Sequence, residues 1–124
     1  ITTMKRGIIT NNGQGIHISD GEVWMTTWQI AELFNTTAEV IHAAIKRILG
    51  SNILKEYEVC KYIELENGYN ADVYNLDMVI ALSYQVDTGN SIEFRQWLTN
   101  KVTSMQGHHI LLYLNKGTSS TLSC

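Results

Sequence analysis

TTWQIAELFNTTAEVIHAAIKR, residues 26–47, decides how the rest of the chain is read. Two apolar-periodic segments flank Asn35-Thr36-Thr37. The first is apolar at Trp28, Ile30, Ala31, Leu33 and Phe34, the second at Val40, Ile41, Ala44, Ile45 and Ile48. Spacings of three and four put such residues on one face of a helix. Ala31 is small where two helices cross closely, Asn35 tolerates a left-handed turn, and Ile41 can fill the angle between the helices. This is the pattern of a helix-turn-helix, whose second helix enters the major groove in nucleic-acid binders. An αα-corner that only builds a core has the same pattern, and this stretch alone leaves both open. Thr26 or Thr27 is placed to cap the first helix. Thr36 and Glu39 have capping-box spacing, which predicts the start of the second. That helix is expected to run to about Leu49, with Gly50 just beyond its end and Lys46 and Arg47 suiting the dipole of its last turn.

Toward the N-terminus, GIITNNGQGIHIS (7–19) carries Asn12-Gly13, a type I′ hairpin signal, between Ile8, Ile9 and Ile16, Ile18. A second turn at Ser19-Asp20-Gly21 leads into Val23-Trp24-Met25, so a small antiparallel sheet is expected there. Toward the C-terminus, residues 51–57 read as a loop or a single helical turn. VCKYIEL (59–65), Asn67-Gly68 and Val73-Tyr74 then form a strand, a turn and a return strand. A hairpin directly after a helix-turn-helix is the layout of a winged helix, with Glu66–Asn70 as the wing tip; the alternative, a hairpin that merely covers the core, is favoured by the charge of this one. Glu64, Glu66 and Asp72 make this wing acidic, and acidic groups repel phosphate.

Asn75 is placed to cap a helix apolar at Met78, Val79, Ala81, Leu82 and Val86. Ser91 is expected to cap another, running to about Met105, apolar at Ile92, Phe94, Trp97, Leu98 and Val102. Neither helix can bury its stripe alone, so both should pack on the first pair. The predicted fold is α+β: a winged-helix-like domain over residues 1–106, with small antiparallel hairpins and a C-terminal helix pair. Residues 107–124 read as a short apolar segment and a polar tail. The run His108–Leu114 needs a surface to cover it, either its own domain or a second copy in a homodimer.

Composition narrows the class. The chain has 124 residues, 44% of them hydrophobic and 17% charged, enough for one core and unlike a disordered polyanion. The net charge of −3 argues against non-specific binding of nucleic acid by the whole domain, though not against a local basic face. Cys60 and Cys124 are far apart and are read as reduced thiols of a cytoplasmic protein. Lys5 and Arg6 are not followed by a leader-like apolar stretch, and Ile110–Leu114 is too short to span a bilayer.

No catalytic constellation has a recognisable signature. Gly13-Gln14-Gly15 lies in a hairpin, not between a strand and a helix. His108 and His109 are adjacent, without the i, i+4 spacing that lets two imidazoles share a zinc, and His17 and His42 stand alone. No enzyme activity, cofactor or metal is therefore expected. Trp24, Trp28 and Trp97 each lie within an apolar pattern and are expected to anchor the core.

Four blocks resemble a known family: VWMTTWQIAELFN (23–35), VCKYIELENG (59–68), YNLDMVIALSYQV (74–86) and EFRQWLTNKV (93–102). In this order they look like the N-terminal domain of the bacterial virulence-associated RhuM family. The FRQWLT segment is also similar to the end of Bro-N and KilA-N type domains of phages and large DNA viruses. The resemblance covers about 23–105. It implies a helix-turn-helix domain that binds DNA, encoded on mobile or horizontally acquired elements. Relatives commonly carry Gly where this chain has Asn35, and open the second helix with Ser and Arg. Here that stretch is Thr37-Ala38-Glu39, then His42 and Ala43. The outward groups expected to meet double-stranded DNA are Thr37, Glu39, His42, Lys46 and Arg47. Glu39 can accept from cytosine N4 but opposes backbone phosphate. The alternative is a protein-interaction module whose helix-turn-helix no longer reads DNA. A contiguous positive face joining Lys46, Arg47 and Lys55 or Lys61 would favour DNA; a neutral apolar patch would favour the module.

Overall fold

The computed structural model describes residues 5–104. The boundary expected at residue 106, and the segment His108–Leu114 expected to form a dimer, lie outside them. The described chain is mixed α+β, in the order β1 (Arg6–Gly7), β2 (Ile9–Asn11), β3 (Ile16–Ile18), β4 (Glu22–Thr26), α1 (Thr27–Phe34), α2 (Ala38–Gly50), α3 (Glu56–Val59), β5 (Cys60–Glu64), β6 (Asn70–Asn75), α4 (Leu76–Gln85) and α5 (Gly89–Ser104). Four strands form one sheet in the order β1-β4-β6-β5, and β2 and β3 form a separate hairpin. No helix among the described residues is long and apolar enough to cross a membrane.

Four helices close a ring: α1 touches α2 and α5, and α4 touches the same two. Ile30, Phe34, Ile41, Met78, Leu82 and Phe94 are fully buried at its centre. Phe34 and Phe94 meet edge to face, with ring centroids 5.5 Å apart. Trp97 meets Phe94 at a tilt, with centroids 5.6 Å apart, and is only partly buried, packing on the core from its margin. Polar ties complete the corner where α5 meets α1. The Thr88 hydroxyl donates to the Phe34 carbonyl at 2.6 Å, and Asn90 Nδ2 donates to that of Leu33 at 3.2 Å. Both carbonyls are in the last turn of α1, where no intrahelical partner exists.

Several expected details are displaced. Thr88, not Ser91, caps α5: the Ser91 backbone N–H donates to the Thr88 hydroxyl, and Ser91 Oγ accepts from the Thr88 N–H, both at 3.0 Å. Ser91 is the third helical residue of a reciprocal box and is fully buried. The cap of α2 is Thr37, not Thr36, because the Thr36 N–H is already donated to Ala31 of α1. Gly50 remains helical; Ser51 is the cap, and the left-handed residue is Asn52, with φ 65°. The β2–β3 hairpin forms, but not through a type I′ turn. Asn12 keeps negative φ, and Gly13 and Gly15 take the positive values, so glycine carries the strain in a four-residue loop. The first sheet is not purely antiparallel, since β1 runs parallel to β4. That pairing brings Gly7 against Gly21, where a Cβ on Gly7 would collide with the Gly21 carbonyl.

Helical phase corrects the expected core most sharply at Trp28. The buried residues of α1 are Thr27, Ile30, Ala31, Leu33 and Phe34. At 3.6 residues per turn Trp28 points roughly 130° away from their mean direction. It is 75% exposed and no core anchor, whereas Trp24 is 4% exposed. Val40, Ile92 and Ile18, also expected on apolar faces, are each more than two-fifths exposed.

Candidate nucleic-acid interface

The turn between α1 and α2 is held by backbone chemistry that the sequence announces. Thr26 Oγ1 accepts from the Gln29 N–H at 3.1 Å, and Gln29 Oε1 accepts from the Thr26 N–H at 2.9 Å, a capping box that fixes the start of α1. Asn35 sits in the left-handed region, with φ 55° and ψ 53°. Thr37 Oγ1 then accepts from the Val40 N–H at 3.2 Å. Ile41 is fully buried between the helices and Ala31 nearly so.

This frame leaves one side of α2 in solvent. Thr37, Glu39, His42, Lys46 and Arg47 are all exposed. Glu39, His42 and Lys46 follow i, i+3, i+7 spacing and lie along one stripe. Arg47 is set to one side, where its Nε donates to Gln85 of α4 at 3.4 Å. Thus the structure brings three of the five expected residues, Glu39, His42 and Lys46, onto one stripe, sets Thr37 at the helix cap and ties Arg47 to a neighbouring helix.

A groove of about 710 Å³ opens where α1 passes the start of α2. Trp28, Ala31 and Ala38 supply apolar wall, and Glu32, Glu39 and His42 stand around it. Neither carboxylate forms an ion pair among the described residues. The only basic residues of α2, Lys46 and Arg47, lie two or more turns from its start. Lys61 belongs to a different surface, the β5–β6 hairpin, where its Nζ lies 4.4 Å from the Trp24 ring centroid. Trp28 and Glu32 were not expected here. Helical phase alone marks both as exposed, because each falls opposite the buried stripe of α1, but their place beside α2 follows from the packing of the two helices.

The hairpin has its own anchor. Its tip turns through Glu66-Asn67-Gly68: the Gly68 N–H donates to Leu65 at 2.9 Å and Gly68 takes φ +89°. Arg6 of β1, whose side chain is 3% exposed, reaches under this tip. Its Nη1 donates to the Trp24 carbonyl at 2.7 Å and to Gln29 Oε1 at 3.0 Å. Its Nη2 donates to Glu66 at 3.2 Å. One guanidinium therefore joins the first strand, the capping box of α1 and the hairpin tip. The Glu66 carboxyl is held below its ordinary value, first by a backbone hydrogen bond in its own turn and then by Arg6. At the start of β5, burial and then the Asp72 charge push the Cys60 thiol up, which disfavours its thiolate.

Comparison with protein-family models, with curated proteins and with solved structures found no match to this chain.

Proposed function

We propose that this domain is a winged helix-turn-helix module that contacts double-stranded DNA through α2. One observation carries the proposal: Glu39, His42 and Lys46 form an exposed stripe on a well-packed helix capped at both ends, with Thr37 exposed at its N-cap. The four sequence blocks resembling the RhuM family support the same reading, as does a strand hairpin following the helix pair.

Charge sets the expected strength. With Lys46 and Arg47 as the phosphate contacts, about two counterions are released and log affinity falls against log salt with a slope of roughly −2. Two carboxylates on the same side oppose even that. A single domain is thus a weak binder, and a dimer placing two such helices about 34 Å apart doubles the slope to roughly −4. Titrating the domain with duplex DNA at several salt concentrations tests this. A slope near zero, or affinity too weak to measure at low salt, removes DNA as the ligand.

A second reading, contact with a protein through the same helix pair, is favoured by the groove beside Trp28. Its charged residues, Glu32 and Glu39, have the sign that phosphate repels.

A further inference from the structure

We infer that the groove between α1 and the start of α2 seats an arginine- or lysine-bearing segment of a partner protein. The inference rests on the protein-contact reading and gives the partner's chemistry.

Three features converge on a cation. Trp28 offers an open indole face at the rim; it is the most exposed of the three tryptophans. A guanidinium or ammonium over an indole is attracted by the ring quadrupole. The fold itself uses this contact elsewhere, with Lys61 over Trp24 at 4.4 Å and Lys101 near Trp97 at 5.7 Å. Glu32 and Glu39 approach the groove from different helices and carry no cationic partner among the described residues. Ala31 and Ala38 keep the floor small, leaving room for an alkyl stem between the walls.

The opposing effect is the start of α2. A helix N-terminus carries about half a positive charge and favours anions. Thr37 already occupies one of its free N–H groups, and Glu39 in its first turn places a full negative charge there. Glu32 adds a second. The sum is negative, so a cationic side chain is attracted and a phosphate is not.

The direct test uses capped synthetic peptides of alternating arginine and glycine, glutamate and glycine, or leucine and serine, titrated into the domain. The Trp28 indole N–H resonance is the readout. The arginine peptide is expected to shift that resonance saturably. Glu32→Gln with Glu39→Gln, two exposed positions, should weaken binding about tenfold or more, while Lys46→Ala should not weaken it. Duplex DNA responds with the opposite signs, weakened by Lys46→Ala and strengthened by Glu39→Gln, so the two ligands are separable. Binding by the leucine or glutamate peptide in place of the arginine one overturns the cationic partner but retains the protein-contact reading. If no peptide moves Trp28, the inference falls and the groove no longer supports that reading.

Discussion

The α1–α2 corner and the tip of the β5–β6 hairpin are held in unlike ways. The corner combines capping hydrogen bonds with apolar contact, Phe34, Ile41 and Ile30 all being fully buried. The hairpin tip is set by hydrogen bonds from one buried guanidinium, Arg6, to Trp24, Gln29 and Glu66. Apolar packing has no charge to titrate or to be screened, whereas charge-assisted bonds have both. The placement of α2 should therefore depend less on salt and pH than that of the hairpin tip.

Substitutions should separate the two regions by size of effect. Phe34→Ala empties the centre of the helix ring and should cost about 3–5 kcal/mol, measured by chemical denaturation. A loss under about 1 kcal/mol would mean that the corner is not set by packing. Arg6→Met removes the strut and leaves the Trp24 carbonyl and Gln29 amide short of a donor. It should cost about 1–3 kcal/mol and raise hydrogen exchange in the hairpin before α2. Equal acceleration in both regions would contradict the division.

Glu66→Gln should cost at most ~1 kcal/mol, because Glu66 is two-thirds exposed and the pair is screened, and the loss should shrink further in high salt. Its pH dependence has a definite sign. The folded carboxyl lies below its ordinary 4.5, so its contribution is complete above that value and disappears as pH falls through the lowered one. Wild type and Glu66→Gln should therefore converge in stability in acid. Trp28→Ala, the smallest change expected, should alter stability by no more than about 0.5 kcal/mol. A larger loss would return Trp28 to the core.

The corner was legible in the sequence, and the hairpin's anchor was not. Apolar spacing located both helices, Asn35 marked the left-handed turn, and Thr26 and Asn75 marked two caps that the structure bears out. Caps were misplaced where a competing bond decided them. Thr36 is engaged by Ala31, and Thr88 does double duty toward Phe34 and Ser91. Counting apolar residues misplaces Trp28, because it ignores phase over an eight-residue helix. Arg6 was illegible for a different reason. Its partners lie 18, 23 and 60 residues away, and no local pattern foretells a two-residue parallel strand. For the candidate site, helical phase gave the exposed stripe of α2. Glu32 and Trp28 joined it only once the two helices were placed side by side.

The proposal that α2 is the DNA-contacting surface is tested most directly by one pair of titrations with duplex DNA. Lys46→Ala should weaken binding to all sequences alike and lower the salt slope by about one. Glu39→Ala, in the first turn of the same helix, should tighten non-specific binding by removing a repulsive charge. Opposite shifts from two residues on one stripe are the result predicted. Affinity unchanged by both substitutions would show that residues 37–48 do not meet DNA.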